Sequence, residues 1–330
     1  MPNSSCSPDS FNYLDSPEFL QLSLHLVTII STPVYFLGLY CILFKTPDSM
    51  KSVKWNLITL QLWIMLHEYC FSLLTVPYLL IPEFAGIPFG VFRHLGVHSA
   101  IQSIFTICVI VYMSISTLSI FENRFYIFCE FRGKKHWSWG RHVWIMAHYI
   151  GTPIGVSPML FLIPEQESAK LEVYKRLPCL QDYVYTEPLF VLVSDATYHI
   201  SIVIFAMLVF IIETSFFIRQ IVKHGKDQQK SHRISQKTFR MQRQLFLALV
   251  VQLSIPLFTV VFPVSCGAVI TVFHYYNQAA VHFIVITITT HGFVATLVMI
   301  VVHRPYRMAM REMVVRKPNK NVTVNSAYVL

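Results

Sequence analysis

Long apolar runs alternate with short polar connectors along the whole chain, and the alternation repeats seven times. The runs cover 20–44, 55–81, 95–121, 142–163, 189–218, 245–273 and 281–302, each 22 to 30 residues long, with no Lys or Arg inside. About 20 helical residues cross the hydrocarbon core of a bilayer. Backbone groups in lipid must find partners within their own segment, so each run is predicted to be a transmembrane helix. Charge then sets the direction of crossing. The connectors after the first, third and fifth runs, with the tail, hold 22 of the 26 lysines and arginines. Cations stay on the cytoplasmic side during insertion. The pattern predicts an all-α membrane protein, a seven-transmembrane helix bundle with its N-terminus outside and its C-terminus cytoplasmic. On this reading 1–19 is an extracellular segment, 20–302 the bundle and 303–330 a cytoplasmic tail.

Composition agrees. With 54% hydrophobic and 13% charged residues, the chain is too apolar for an ordinary soluble domain. The net charge of +9 is topogenic, facing anionic membrane lipid, and does not imply a nucleic acid partner. Residues 1–18 lack Lys, Arg and an apolar core, so the first run, followed by Lys45, Lys51 and Lys54, is expected to act as an uncleaved signal anchor. Of seven cysteines only Cys6 and Cys179 fall in outer segments. In an oxidising compartment they are the natural disulfide pair, the alternative being a free Cys6 on a loose terminus. Such a bridge would close a long loop, worth roughly 4–5 kcal/mol in the chain-entropy picture. Asn3-Ser4-Ser5 is a glycosylation acceptor on the same side.

The connectors differ in character. The outer segment 164–188 is long enough to fold over the mouth of a bundle, and the Pro- and Gly-rich 81–90 reads as a rigid outer turn. Pro153 and Pro158 predict a kink in the fourth helix. Arg304, Arg307 and Arg311 interleave with Met308, Met310 and Met313, the pattern of a short amphipathic helix along the inner leaflet.

Ionisable groups at membrane depth cost roughly 2.5–3.5 kcal/mol each on insertion scales, so each is a functional candidate. Glu68 falls at the middle of the second run, a candidate intramembrane ion site or switch, with His67 beside it on another face. Asp195 and His199, four apart near the outer end of the fifth run, can share one pocket. His98, Gln102 and His291 complete the candidate ligand-binding set. The ordinary alternative for each lone His is a hydrogen-bonded interior residue. Glu213, near the inner end of the fifth run, reads as structural, reaching the interface or Arg219.

Several chemistries are disfavoured. An intramembrane zinc hydrolase needs three or four converging ligands, and no run holds a His-x-x-x-His pair. A retinal Schiff base needs a lysine within the bundle, and the runs contain none. Neither an enzyme nor a cofactor is expected, and no metal site. A channel or secondary transporter using Glu68 and Asp195 as an ion or proton relay stands as the alternative, although no repeated halves are visible.

Seven helices with an outer N-terminus and a basic inner face suit a receptor that couples to a heterotrimeric G protein. The third run leads into Glu122-Asn123-Arg124-Phe125, where rhodopsin-like receptors place an acidic-Arg-Tyr triplet, but Asn123 separates the acid from Arg124. The seventh is followed by His303-Arg304-Pro305-Tyr306-Arg307 in place of an Asn-Pro-x-x-Tyr motif. The run Lys45-Thr46-Pro47-Asp48-Ser49-Met50-Lys51-Ser52-Val53-Lys54-Trp55, with Val76-Pro77-Tyr78, Leu177-Pro178-Cys179 and Pro305-Tyr306-Arg307, resembles the nematode serpentine chemoreceptors of class h; the related class i is the next nearest. The resemblance implies a chemosensory G-protein-coupled receptor in the plasma membrane of sensory neuron cilia. Its small-molecule ligand would arrive from outside between the third, fifth, sixth and seventh helices. Arg124, Arg240, Arg243 and Arg307 would border the inner opening used by the G protein. That family usually carries Asp in the middle of the second helix, where this chain has Glu68.

The charge asymmetry makes a direct prediction. On intact cells an N-terminal epitope is labelled by antibody, and a C-terminal one only after permeabilisation; the reverse pattern would sink the topology.

Overall fold

The computed structural model describes residues 12–177, 180–230, 247 and 250–315. Cys6, Cys179, Asn3, Arg240 and Arg243 lie outside these residues. Seven helices are long and apolar enough to cross a membrane: α1 (Pro17–Phe44), α2 (Lys51–Leu74), α3 (Ser99–Phe128), α4 (Lys134–Leu162), α7 (Thr197–Gln228), α8 (Val250–Val272) and α9 (Gln278–Val302). Between α4 and α7 lie the shorter α5 (Gln166–Arg176) and α6 (Asp182–Thr186). The last helix is α10 (Arg304–Val315). The connectors of α1–α2 and α3–α4 share one end of the bundle with the end of α7, the start of α8 and α10, the cation-rich end.

The opposite end carries a small antiparallel sheet that the hydropathy pattern did not predict. Residues 77–81, read from sequence as the end of the second helix, form β1 (Pro77–Leu80), which pairs with β2 (Ala85–Pro88). β2 then pairs with β3 (Phe190–Val191), inside the stretch read as the start of the fifth helix. Pro77 lacks an N–H and disfavours a helical residue before it; Val76 takes φ 41° and the chain turns out of α2. Along the hairpin, Tyr78 and Leu80 face inward with Ala85 and Ile87, the period of two that a half-buried strand requires.

These strands cover an apolar core with Val173 of α5, Val184 of α6, Leu20 and Leu24 of α1, and Val285 of α9. The long connector therefore does fold over the mouth, as expected, and it does so as a packed cap. Arg93–Glu187 at 2.5 Å and Arg176–Glu83 at 3.2 Å pin its edges. Ahead of α1, Ser16 accepts from the N–H of Phe19 and Pro17 begins the helix. Asp15 reaches across to accept the N–H of Ala279 at 2.9 Å, and the Leu14 carbonyl bonds His282 at 2.8 Å. Residues 12–16 thus strap the sheet end of α9.

Within the bundle α1 and α9 approach closely because glycine faces the partner at two levels. A Cβ on Gly38 would sit 2.6 Å from Thr296 Cγ2, and one on Gly292 closer still to Tyr35 Oη. Outward faces of α4, α7 and α8 remain apolar and exposed, with Ile154, Phe205, Ile212, Phe258 and Phe262 presented to what would be lipid.

Gly292→Ala is expected to lower the melting temperature of the detergent-purified protein, since overpacking costs about 1–3 kcal/mol. Gly225→Ala, inside α7 with open space around its Cβ, serves as the matched control and should not lower the melting temperature, since Ala is the better helix former.

Candidate functional site

Three groups of polar side chains occupy the bundle. At the sheet end lie four of the five candidate ligand-binding residues, each in its own setting. Asp195 is exposed and precedes α7, where its Oδ1 accepts from the N–H (2.9 Å) and hydroxyl (2.6 Å) of Thr197. The Thr197 hydroxyl and N–H hold its carboxyl below the usual range. Because Asp195 is not on the helix, its i, i+4 pairing with His199 fails. His98 is exposed and caps α3, its Nδ1 accepting the N–H of Ala100. Gln102 is buried and donates to the Val97 carbonyl at 2.8 Å, which stitches the same helix start. His199 is buried with neither ring nitrogen partnered. Among the described residues no hydrogen bond or ion pair joins any two of these four.

The middle group centres on Glu68. With α2 running from Lys51 to Leu74, Glu68 lies toward the sheet end and not at the midpoint. Its carboxylate accepts from Ser31 Oγ and Tyr35 Oη of α1. Around it Thr28 bonds Ser72 at 2.6 Å, Thr32 meets Tyr69 at 3.0 Å and Gln61 donates to Thr296 at 2.9 Å. These contacts form a polar seam joining α1, α2 and α9. No contact connects Glu68 to Asp195 among the described residues, and Asp195 lies exposed ahead of α7 while Glu68 is buried between α1 and α2. On another face of α2, His67 is fully buried, both ring nitrogens unpartnered, with its ring perpendicular to His291 at 6.0 Å. His291 bonds Thr259 of α8 at 2.8 Å. His291 also borders a cavity of about 550 Å³, counting its open part, between α2, α3, α8 and α9. Gln61, Thr117, Gln252 and Pro256 line it, so it occupies the cation-rich half of the bundle.

The third group lies at the cation-rich end of α3. Residues two apart on a helix point to different sides. Glu122 therefore turns away from Arg124 toward α4, where Arg141 holds it at 2.6 Å and Trp137 donates to it at 2.9 Å. Arg141 also donates to Asn123 Oδ1, and Asn123 Nδ2 reaches the Ser52 carbonyl of α2, both at 2.9 Å. Asn123 thus ties α3 to α2 and α4 together. Arg124 is only 4% exposed and lies within electrostatic reach of Tyr306 and His303, where α9 passes into α10. There Tyr306 is fully buried, bonded to Thr46 of the α1–α2 connector at 2.9 Å, and its ring packs 5.4 Å from that of His303. Arg307 does not face this place; it is exposed and donates to the Val301 carbonyl at the end of α9. Glu213 pairs with His148 at 3.3 Å and Trp144 at 3.3 Å of α4, not with Arg219.

Sequence reasoning missed Tyr35, Ser31, Arg141 and His303. A polar ladder at 28, 31, 32 and 35 of an otherwise apolar run was the available signal for the first two. His303 gave none, since its burial depends on the break between α9 and α10.

A seven-helix bundle of this form matches the crystal structure of squid rhodopsin with a TM-score of 0.59, covering 95% of this chain and 91% of that one at 12% identity. The chain is an integral multi-pass membrane protein with a rhodopsin-like fold. Residues 15–316 match the family described as "Serpentine type 7TM GPCR chemoreceptor Srh", and the chain belongs to that family. It is also 28% identical over 319 residues to Serpentine receptor class H-72 of Caenorhabditis elegans, spanning 94% of this chain and 90% of that protein.

The α3–α4 contact is open to test. Arg141→Ala strands the Glu122 carboxylate and is expected to cost about 3–5 kcal/mol, as for other broken buried pairs. Glu122→Gln with Arg141→Met should recover most of that loss in a double-mutant melting series; a double-variant loss equal to the sum of the two single losses would show that the pair does not act as one unit.

Proposed function

We propose that this member of the serpentine chemoreceptor family binds a small molecule from outside and activates a heterotrimeric G protein at its cation-rich end. The N-terminus is outside, the cation-rich end is cytoplasmic, and the receptor resides in the plasma membrane of sensory cilia. Family membership over residues 15–316 supports the receptor reading. One observation carries the coupling side: Arg124, at the base of α3, is free of Glu122, which pairs with Arg141, and is buried near the start of α10. A guanidinium held in that position has its donors in reserve for a partner that appears when α10 moves. Activation is then a population shift between covered and uncovered states. The cavity between α2, α3, α8 and α9 lies directly above Arg124, since Ile120 and Phe121 line it one turn earlier on α3. Repacking there would move α8 relative to α3.

The planar guanidinium makes bidentate bonds that an ammonium cannot. Loss of one charge-assisted bond, about 1.5–3 kcal/mol, corresponds to a drop of at least about tenfold. Arg124→Lys is expected to keep surface level and topology while reducing the response to an activating small molecule by that factor, read with a G-protein reporter. Arg316→Lys in the tail should change neither. An unchanged response from Arg124→Lys at matched surface level would remove Arg124 as the coupling residue.

A further inference from the structure

Arg124 is a buried cation with no counter-charge paired to it among the described residues. Among the described residues its Nε has no hydrogen-bond partner, and the aromatic face of Phe128 lies 5.9 Å away. The acids at this end are engaged elsewhere or turned to solvent: Asp48 is on Lys51, Glu122 on Arg141, Glu130 on Lys134 and Glu213 on His148, while Asp227 and Glu312 are exposed and form no ion pair with Arg124 among the described residues. Residues 231–249 and 316–330, the adjoining segments beyond the described residues, contain no Asp or Glu at all. An isolated charge taken out of water is held only if something pairs with it. The carboxyl end of α3 favours a cation, but it places no acceptor on Nε.

His303 has the matching deficit. It is 2% exposed, and neither of its ring nitrogens has a partner among the described residues. Burial, and then the Arg124 guanidinium beside it, push its pKa down to about 4, so the ring is neutral with one N–H left to donate. Donors without acceptors thus meet on both sides of one place, between the base of α3 and the start of α10. The surrounding excess of cations raises the local concentration of anions.

We propose that Arg124 and His303 form a binding site for a phosphate-type oxyanion supplied from outside the chain, which fastens α3 to α10 in the resting receptor. An oxyanion with three acceptor oxygens can take the guanidinium and the imidazole N–H together. In receptors with an acid directly beside the arginine the chain carries its own lock; here Glu122 is committed to α4, and the lock is borrowed. The site does not depend on Arg124 also contacting a G protein. Free phosphate and the headgroup of a phosphoinositide share the chemistry.

The test uses the full-length receptor, purified in nonionic detergent and stripped of lipid. Its melting temperature is measured in chloride, in inorganic phosphate at matched ionic strength, and in phosphatidylcholine vesicles with and without phosphatidylinositol bisphosphate. An occupied site raises the melting temperature of the wild type by about 2–4 °C. The rise is absent in Arg124→Gln and reduced in His303→Ala. A rise with inorganic phosphate identifies the free ion as sufficient; a rise only in phosphoinositide vesicles assigns the site to a headgroup, and either supports the proposal. Arg124→Gln in chloride alone should melt no lower than the wild type, because it removes an uncompensated charge. No rise with either source, an equal rise in Arg124→Gln, or a marked fall of that variant in chloride would each overturn the site. A wild-type rise beside normal signalling from Arg124→Lys would keep the site and discard only the coupling role.

Discussion

A carboxyl group deep in a membrane bundle must be bonded, and satisfying Glu68 organises the rest of this molecule. Its partners, Ser31 and Tyr35, sit one turn apart on α1. Tyr35 is fully buried beside Gly292, where any larger residue would displace its hydroxyl. The small residue on α9 therefore exists for the sake of a hydrogen bond made between two other helices. In lipid there is no hydrophobic force to press helices together, so close packing and interhelical bonds must do it. The seam from Thr28 to Thr296 combines both over the length of α1, α2 and α9.

The second organising feature divides labour among three consecutive residues of α3. Glu122 holds α4, Asn123 spans α2 and α4, and Arg124 turns to α10. Shifting the acid one place from the arginine gives each its own helix face, roughly 200° apart. The consequence is a helix fixed on one side and left with unpaired charge on the other.

How much of this could be read from the sequence depended on what kind of force was involved. The membrane spans were legible because length and hydropathy are local quantities, and the amphipathic α10 because its period is. Their ends were not. Pro77–Leu80 and Phe190–Val191 are as apolar as a helix interior, and a short buried strand cannot be told from a helix by hydropathy alone. The misplaced start of α7 carried Asp195 into the bundle with it, although Asp195-Ala196-Thr197 reads as a helix start. Glu68 and Arg124 stood out as ionisable groups in or beside apolar runs. Their surroundings did not, because Tyr35 and His303 reach them only after helices far apart in sequence have packed.

The strap at residues 12–16 has a mechanical consequence. Asp15 and Leu14 grip the beginning of α9, while the other end of α9 passes into His303 and α10. α9 is an unbroken helix of 25 residues, about 38 Å of stiff rod. It contains no internal proline to absorb a twist. A tug or rotation applied at the strap is therefore carried the full depth of the bundle by a single shaft.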